Sequence, residues 1–208
     1  VKTGALILAF VALLFVGLRM TAEQGRTSAQ LGVLTGWEVR VTPGVSPSGD
    51  WKKLSEKPDA AKVPREFQGT IEYRAPFTTP NVNSVGVYLG QIGEADRVYV
   101  NGNFVGHTGG FPPQYENFSD VFREYAIPSS VLNSKTNELL VVTYSRYVGL
   151  KGMKTDSVEV GDHFLLQKRQ YWKNTAWLLV RLGVPALCLF LSLLFMPWFS
   201  SKTERPQN

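Results

Sequence analysis

The central part of the chain alternates apolar and polar residues with period two, in short pieces broken by glycine, proline and asparagine. That is the pattern of half-buried β-strands. Ile71, Tyr73, Ala75 and Phe77 alternate in TIEYRAPF, which stops at Thr79-Pro80. Val85, Val87 and Leu89 alternate in SVGVYLG, Val98 and Val100 in RVYV, and Leu140, Val142 and Tyr144 in NELLVVTYSRY. Asn101-Gly102 separates RVYV from NFVG and predicts a type I′ hairpin, since both residues tolerate positive φ. An earlier strand is expected through Gly36–Arg40, and a last one through Gly161–Gln167. No long amphipathic helical pattern interrupts the series, so a two-sheet sandwich is expected.

Uncharged apolar runs at residues 3–18 and 182–199 bracket this region. Sixteen helical residues span about 24 Å, short of the roughly 30 Å hydrocarbon core, and snorkelling flanks such as Lys2 and Arg19 make up the difference. A secretory signal peptide is the other reading of the first run. Its following small residues (Thr21-Ala22, Ser28-Ala29) make a poor cleavage pattern, so an uncleaved anchor over 1–20 is expected, with a linker over 21–30. The second run, extended back to Asn174, gives about 26 residues, enough to cross with tilt. Trp172, Trp177 and Trp198 mark its ends as interfacial anchors, and Pro185 predicts a kink. Arg181, a turn inside the boundary, either snorkels to the headgroups or pairs with a neighbouring helix. The expected fold class is therefore all-β: a jelly-roll β-sandwich over 31–168, flanked by two transmembrane helices, the second over 171–200 with a tail at 201–208.

Charge adds the environment. The formal net charge is +5, yet residues 21–167 hold 14 Lys+Arg against 16 Asp+Glu. The positive excess (Lys2, Arg19, Lys168, Arg169, Lys173, Arg181, Lys202 and Arg205 against Glu204) borders the apolar runs, where cations meet phospholipid headgroups. A nucleic-acid partner would need its basic stripe on the folded domain, so none is expected. Membrane lipid is the expected partner. A long domain behind a first hydrophobic segment is normally translocated. The main domain is accordingly expected in the periplasm, anchored in a bacterial inner membrane with both termini cytoplasmic.

Cys188, the one cysteine, permits no intrachain disulfide, and His107 and His163 are the only histidines. No metal site of ordinary composition and no cofactor is expected. No GxSxG elbow accompanies either histidine.

Two stretches carry a resemblance. Asp96, Val98, Val100, Asn101, Gly102, Val105 and Gly106 form an acidic residue followed by V-x-V-N-G-x-x-V-G. Ile127, Pro128, Leu132, Asn137, Glu138, Leu139 and Val141 form I-P, a leucine, an asparagine turn and N-E-L-x-V. Together they resemble the galactose-binding-like jelly roll, the sugar-binding domain of family-two glycoside hydrolases. With Gly109–Pro113 (GGFPP) and a membrane helix after the last strand, the chain is similar to the extracytoplasmic domain of bacterial seven-helix membrane sensors with diverse intracellular signalling modules. The resemblance spans about residues 30–200 and implies a binding or sensor role. No catalytic barrel follows to carry the hydrolases' carboxylate pair, so no enzymatic activity is expected.

Candidate binding residues follow from loop position and chemistry. His107 and Phe111 lie in a loop rich in glycine and proline, which either builds a binding surface or stiffens the connection. In the resembling hydrolases the sugar-facing loops precede the Y-R strand and follow the last strand. Here they hold Arg65, Phe67 and Gln68, then Lys151, Met153 and Asp156. Phe67 and Gln68, with Trp51, offer the aromatic face and planar hydrogen-bonding groups a carbohydrate needs, although the usual second-loop motif is altered to Gly149-Leu150-Lys151-Gly152. Asp96 is expected to order its hairpin, Trp37 to fill core, and Arg123 and Tyr125 to pair with acidic neighbours at a sheet edge. The functional expectation is a membrane-anchored, non-catalytic binding or sensor module coupling partner or ligand binding to a membrane helix. The alternative is an accessory structural subunit of a larger membrane complex, with other membrane subunits as partners.

Overall fold

The computed structural model describes residues 31–44, 49–54, 58, 63, 66–119, 121–146, 152–155 and 157–200, with side chains to Leu193. The expected N-terminal anchor and linker lie outside these residues, as do Arg65, Lys151, Asp156 and the tail.

Ten strands follow one another: β1 Leu31–Val33, β2 Glu38–Pro43, β3 Lys52–Lys53, β4 Gly69–Thr78, β5 Val85–Gln91, β6 Ala95–Val100, β7 Asn103–Thr108, β8 Phe122–Ile127, β9 Thr136–Ser145 and β10 Glu159–Asp162. A helix, α1, then runs His163–Ser200. The strands form two antiparallel sheets, one ordered β1-β10-β5-β8 and the other β3-β2-β4-β9-β6-β7. Inward residues of both sheets, including Val85, Val87, Leu89 and Val160 from the first and Ile71, Tyr73, Val98 and Val141 from the second, make one apolar cluster. The architecture is a β-sandwich.

The Asn101-Gly102 hairpin stands as expected, with φ of 51° and 78° at its two central residues. Asn101 is also the hub of its end of the sandwich. Its Nδ2 donates to Val131 O (2.8 Å) and Asn137 Oδ1 (2.7 Å), and its Oδ1 accepts from the Glu138 N–H (2.9 Å).

Two strand assignments are corrected. In β9 the core face is Leu139 and Val141, both fully buried, because Val141 pairs with Tyr73 and Leu139 with Ala75. Leu140, Val142 and Tyr144 face the other way. The run Leu139-Leu140-Val141-Val142 is apolar on both faces, so periodicity alone does not choose between them. The last strand ends at Asp162, and residues 163–167 are helical. Asp162 Oδ1 accepts the Leu165 N–H at 3.0 Å, an N-cap that starts the helix there.

The sandwich and the helix residues through Tyr171 form one compact unit, and residues from Trp172 onward a second. Within the first unit, α1 lies on the outer side of the β1-β10-β5-β8 sheet. Leu166 is fully buried, the His163 N–H donates to Ser84 O (2.9 Å) and Gln170 Nε2 to Phe122 O (2.9 Å). This explains why Val85 through Gly90 are buried without alternation: one side of β5 faces the core, and the other is covered by the helix at Gly86 and Tyr88 and by Thr155 at Gly90. Gly86 permits the approach, since a Cβ there would sit 3.0 Å from His163 Cα and 2.6 Å from Glu124 Oε1. In the second unit, Leu178, Leu179 and Leu182 are 54%, 66% and 62% exposed. By length and composition α1 is able to cross a membrane.

Candidate ligand-binding face

Alternation along β6 sends Asp96, Val98 and Val100 inward and leaves Arg97 and Tyr99 on the outer face of the larger sheet. The returning strand sets His107 opposite Arg97 and Phe104 opposite Tyr99, across a bulge between Val98 and Tyr99. Three rings thus lie in a row. Tyr99 and Phe104 are edge to face at 5.6 Å, Phe104 and His107 are tilted at 6.1 Å, and Phe104 is 53% exposed. His107 Nδ1 lies 3.0 Å from Gly109 O. A carbonyl only accepts, so Nδ1 carries the proton and Nε2 is the acceptor of the neutral ring.

Phe111 departs from expectation. It is buried, 5.5 Å from Tyr144, and the Arg97 guanidinium lies over it at 4.4 Å. The ring is a shelf for an arginine, because the paired backbone of Gly110 and Glu116 folds its loop back on the sheet.

Beneath this face a polar cluster joins the two sheets. Asp96 on β6 and Arg123 on β8, both fully buried, meet at 3.0 Å. Asp96 also accepts from the Tyr125 hydroxyl, which lies 2.7 Å from Thr108 Oγ1. Arg123 donates further to Glu94 O (2.9 Å) and Val121 O. Burial pushes the Asp96 carboxyl up, with Arg123 and Tyr125 pulling against it, and burial pushes the Tyr125 phenol up as well. Asp96 therefore bonds across the sandwich rather than ordering its own hairpin, and Arg123 and Tyr125, on the edge strand β8, pair with that acidic residue as expected, with the Arg123 side chain fully buried. A Cβ at Gly106 would meet Tyr125 Cδ1 at 2.6 Å, so the hairpin needs its glycine there.

The other candidates are dispersed. Trp51 stacks on the outer face between Arg40 (4.6 Å) and Arg74 (4.3 Å), which are paired with Glu72 and Glu38. A groove of 620 Å³ nearby is lined by Glu38, Lys53, Arg74, Asn101 and Glu138 among others. Phe67 packs against the core, on the opposite side of the sheet from Trp51, and Gln68 is exposed with its carbonyl accepting from Gly44 (3.3 Å). These residues do not make one platform. In the second loop, Met153 is buried, its N–H donating to the Tyr73 hydroxyl at 3.3 Å. Trp172, Trp177 and Arg181 lie on α1, as does Trp198.

The start of α1 makes a second polar set. His163 Nδ1 lies 2.8 Å from Glu124 Oε1, and Arg169 pairs with Glu159 while stacking on Tyr88 at 4.9 Å. Burial raises the Glu124 carboxyl, with His163 drawing it down.

No family model matches the sequence, and no curated protein matches it. Solved structures do. The chain is similar to enzymes that act on glycosides. A Ruminococcus gnavus β-glucuronidase matches at TM-score 0.46 and 14% identity, covering 63% of this chain and 28% of that one. A β-glycosidase from Bacteroides vulgatus matches at 0.44 and 17%, covering 64% and 20%. A β-D-mannosidase from Dictyoglomus thermophilum matches at 0.40 and 18%, covering 56% and 16%. The chain spans between about a sixth and three tenths of the length of these enzymes.

Arg97, Tyr99 and Phe104 were not among the sequence candidates. Their signal was available in the alternation itself: once Val98 and Val100 are inward, Arg97 and Tyr99 must be outward. Glu124 carried no such signal, because its partner His163 was read as part of a strand.

Proposed function

We propose that the chain is a membrane-anchored, non-catalytic binding module: a β-sandwich that takes a ligand or partner outside the membrane, held to the bilayer by α1. The observation that carries this reading is the docking of the start of α1 on the smaller sheet through Leu166, His163–Glu124, Arg169–Glu159 and Gln170–Phe122. Tyr171 and Trp172, the last residue of one unit and the first of the other, are consecutive in that helix. A shift in the smaller sheet on binding would bias the helix that continues from it, as differential affinity for two states requires. The periplasmic face of a bacterial inner membrane is the proposed location.

The 208-residue chain in lipid nanodiscs tests the reading. Amide exchange at 165–170 should be as slow as in β5, and should speed up in the His163→Ala/Arg169→Ala variant. Alkali should not extract the protein from vesicles. Fast exchange at 165–170 in the unmodified chain, or extraction by alkali, overturns it.

A second reading, an accessory subunit of a larger membrane complex, draws on Phe164 and Tyr171, which are 66% and 63% exposed on the same helix. Stable companions after gentle detergent purification would favour it, and a lone monomer would exclude it.

A further inference from the structure

The arginines on and around the sandwich are not equivalent. Arg40, Arg74, Arg123 and Arg169 each face a carboxylate: Glu72, Glu38, Asp96 and Glu159 respectively. Arg97 does not. Among the described residues its one partner is the face of the Phe111 ring, 4.4 Å away, and the side chain is exposed. Stacking of this kind fixes the plane of the guanidinium while leaving its N–H groups available, the arrangement suited to gripping a carboxylate with two parallel hydrogen bonds.

The residues around Arg97 narrow the ligand. Arg97 and Tyr99 are two apart on one strand, and His107 and Phe104 stand opposite them. Directly opposed side chains on one face of a sheet are about 5 Å apart and diagonal ones roughly 7–8 Å, so the four occupy a patch the size of one or two sugar rings. Phe104 offers an apolar ring face open to solvent, of the kind that stacks on the C–H face of a pyranose. His107 Nε2 offers an acceptor for a hydroxyl, because its other nitrogen is bound to Gly109 O. A simple anion would use Arg97 alone, and a neutral sugar would leave Arg97 unused.

We infer that Arg97, Tyr99, Phe104 and His107 form a binding site for an acidic saccharide, a pyranose carrying a carboxylate. The carboxylate sits on the Arg97 guanidinium, the ring on Phe104, and a hydroxyl donates to His107 Nε2. The inference rests on the reading of the sandwich as a binding module and names the ligand class of that module. The site lies on the outer face of the larger sheet, whereas Phe67 packs against the core and Met153 is buried.

Calorimetry on the 208-residue chain in nanodiscs tests it, with trigalacturonate and methyl β-glucuronide as acidic probes, methyl β-glucoside as the neutral one and acetate as the bare anion. At least one acidic probe should bind tenfold or more tightly than both the glucoside and acetate. Arg97→Lys should weaken that binding tenfold or more, Phe104→Ala comparably, and Trp51→Ala not at all. Unchanged melting temperatures for Arg97→Lys and Phe104→Ala would assign the loss to the site. Equal binding of acid and glucoside, acetate binding as tightly as the saccharides, no binding of either acidic probe, or full binding by Arg97→Lys each overturns the inference. Slow exchange at 165–170 together with no saccharide binding removes this site and leaves the anchored module standing. Saccharide binding with fast exchange there does the reverse.

Discussion

Replacing Asp96 by asparagine puts the joint between the two sheets to a quantitative test. Both Asp96 and Arg123 have fully buried side chains and meet at 3.0 Å. Removing one charge of such a pair leaves the other uncompensated, which costs about 3–5 kcal/mol. Asparagine keeps one acceptor oxygen for Arg123 Nε, and Arg123 retains its bonds to Glu94 O and Val121 O, so the lower end, about 3 kcal/mol, is expected. With an unfolding entropy of about 2.1 cal/mol/K per residue over roughly 140 residues, this is a melting shift of about 10 °C. The companion variant, Asp96→Leu with Arg123→Met, replaces both charges by apolar groups of similar volume. It should lie within about 2 kcal/mol of the unmodified protein, because two desolvation costs disappear along with the attraction. Thermal and guanidinium unfolding of the full chain in mild detergent, followed by near-ultraviolet circular dichroism, measures both. A loss below about 1 kcal/mol for Asp96→Asn, or a double variant less stable than the single one, would refute the reasoning.

Three further outcomes are expected. Gly86→Ala should cost about 1–3 kcal/mol and speed amide exchange at 165–170, since the new methyl group would meet Glu124 Oε1 at 2.6 Å and His163 Cα at 3.0 Å. Stability should fall as pH rises above about 10, because burial pushes the Tyr88 phenol up to about 12 and that of Tyr125 up as well. The unfolded chain releases those protons first, so stability present below pH 10 is lost on the way up. Tyr88→Phe should flatten the slope by about 1.4 kcal/mol per pH unit in denaturant midpoints. Asn101→Ala should destabilise more than Asn101→Gly in the same assay, as both lose the side-chain bonds to Val131, Asn137 and Glu138 but only alanine is strained at φ 51°.

The strands were legible wherever their two faces differ in polarity or in side-chain size. TIEYRAPF and RVYV alternate because their outer faces carry Glu72, Arg74, Arg97 and Tyr99, and the asparagine-glycine turn fixes where the hairpin folds. Legibility failed where a strand is apolar on both faces. Leu139 to Val142 is apolar throughout, so its inward face follows only from its pairing with β4. Residues 163–167 failed for a different reason. Their sequence, HFLLQ, carries no clear period of its own, and its helical form is selected by the Asp162 cap and the seat that Gly86 leaves on β5. For the candidate face, His107 was reached from its loop but Arg97 was not. Phe111, in a loop that either reading of the sequence fits, is buried under Arg97, and a phenylalanine beside two prolines gives no sign of that.

The cross-sandwich bond between Asp96 and Arg123 also proofreads strand alignment. A one-residue slip of β6 exchanges its two faces, driving Arg97 into the apolar interior, turning Val98 and Val100 out to water and stranding Arg123 with no counter-charge. Each of these errors is costly alone and they occur together, so misaligned versions of the larger sheet are penalised as soon as the two sheets pack against each other.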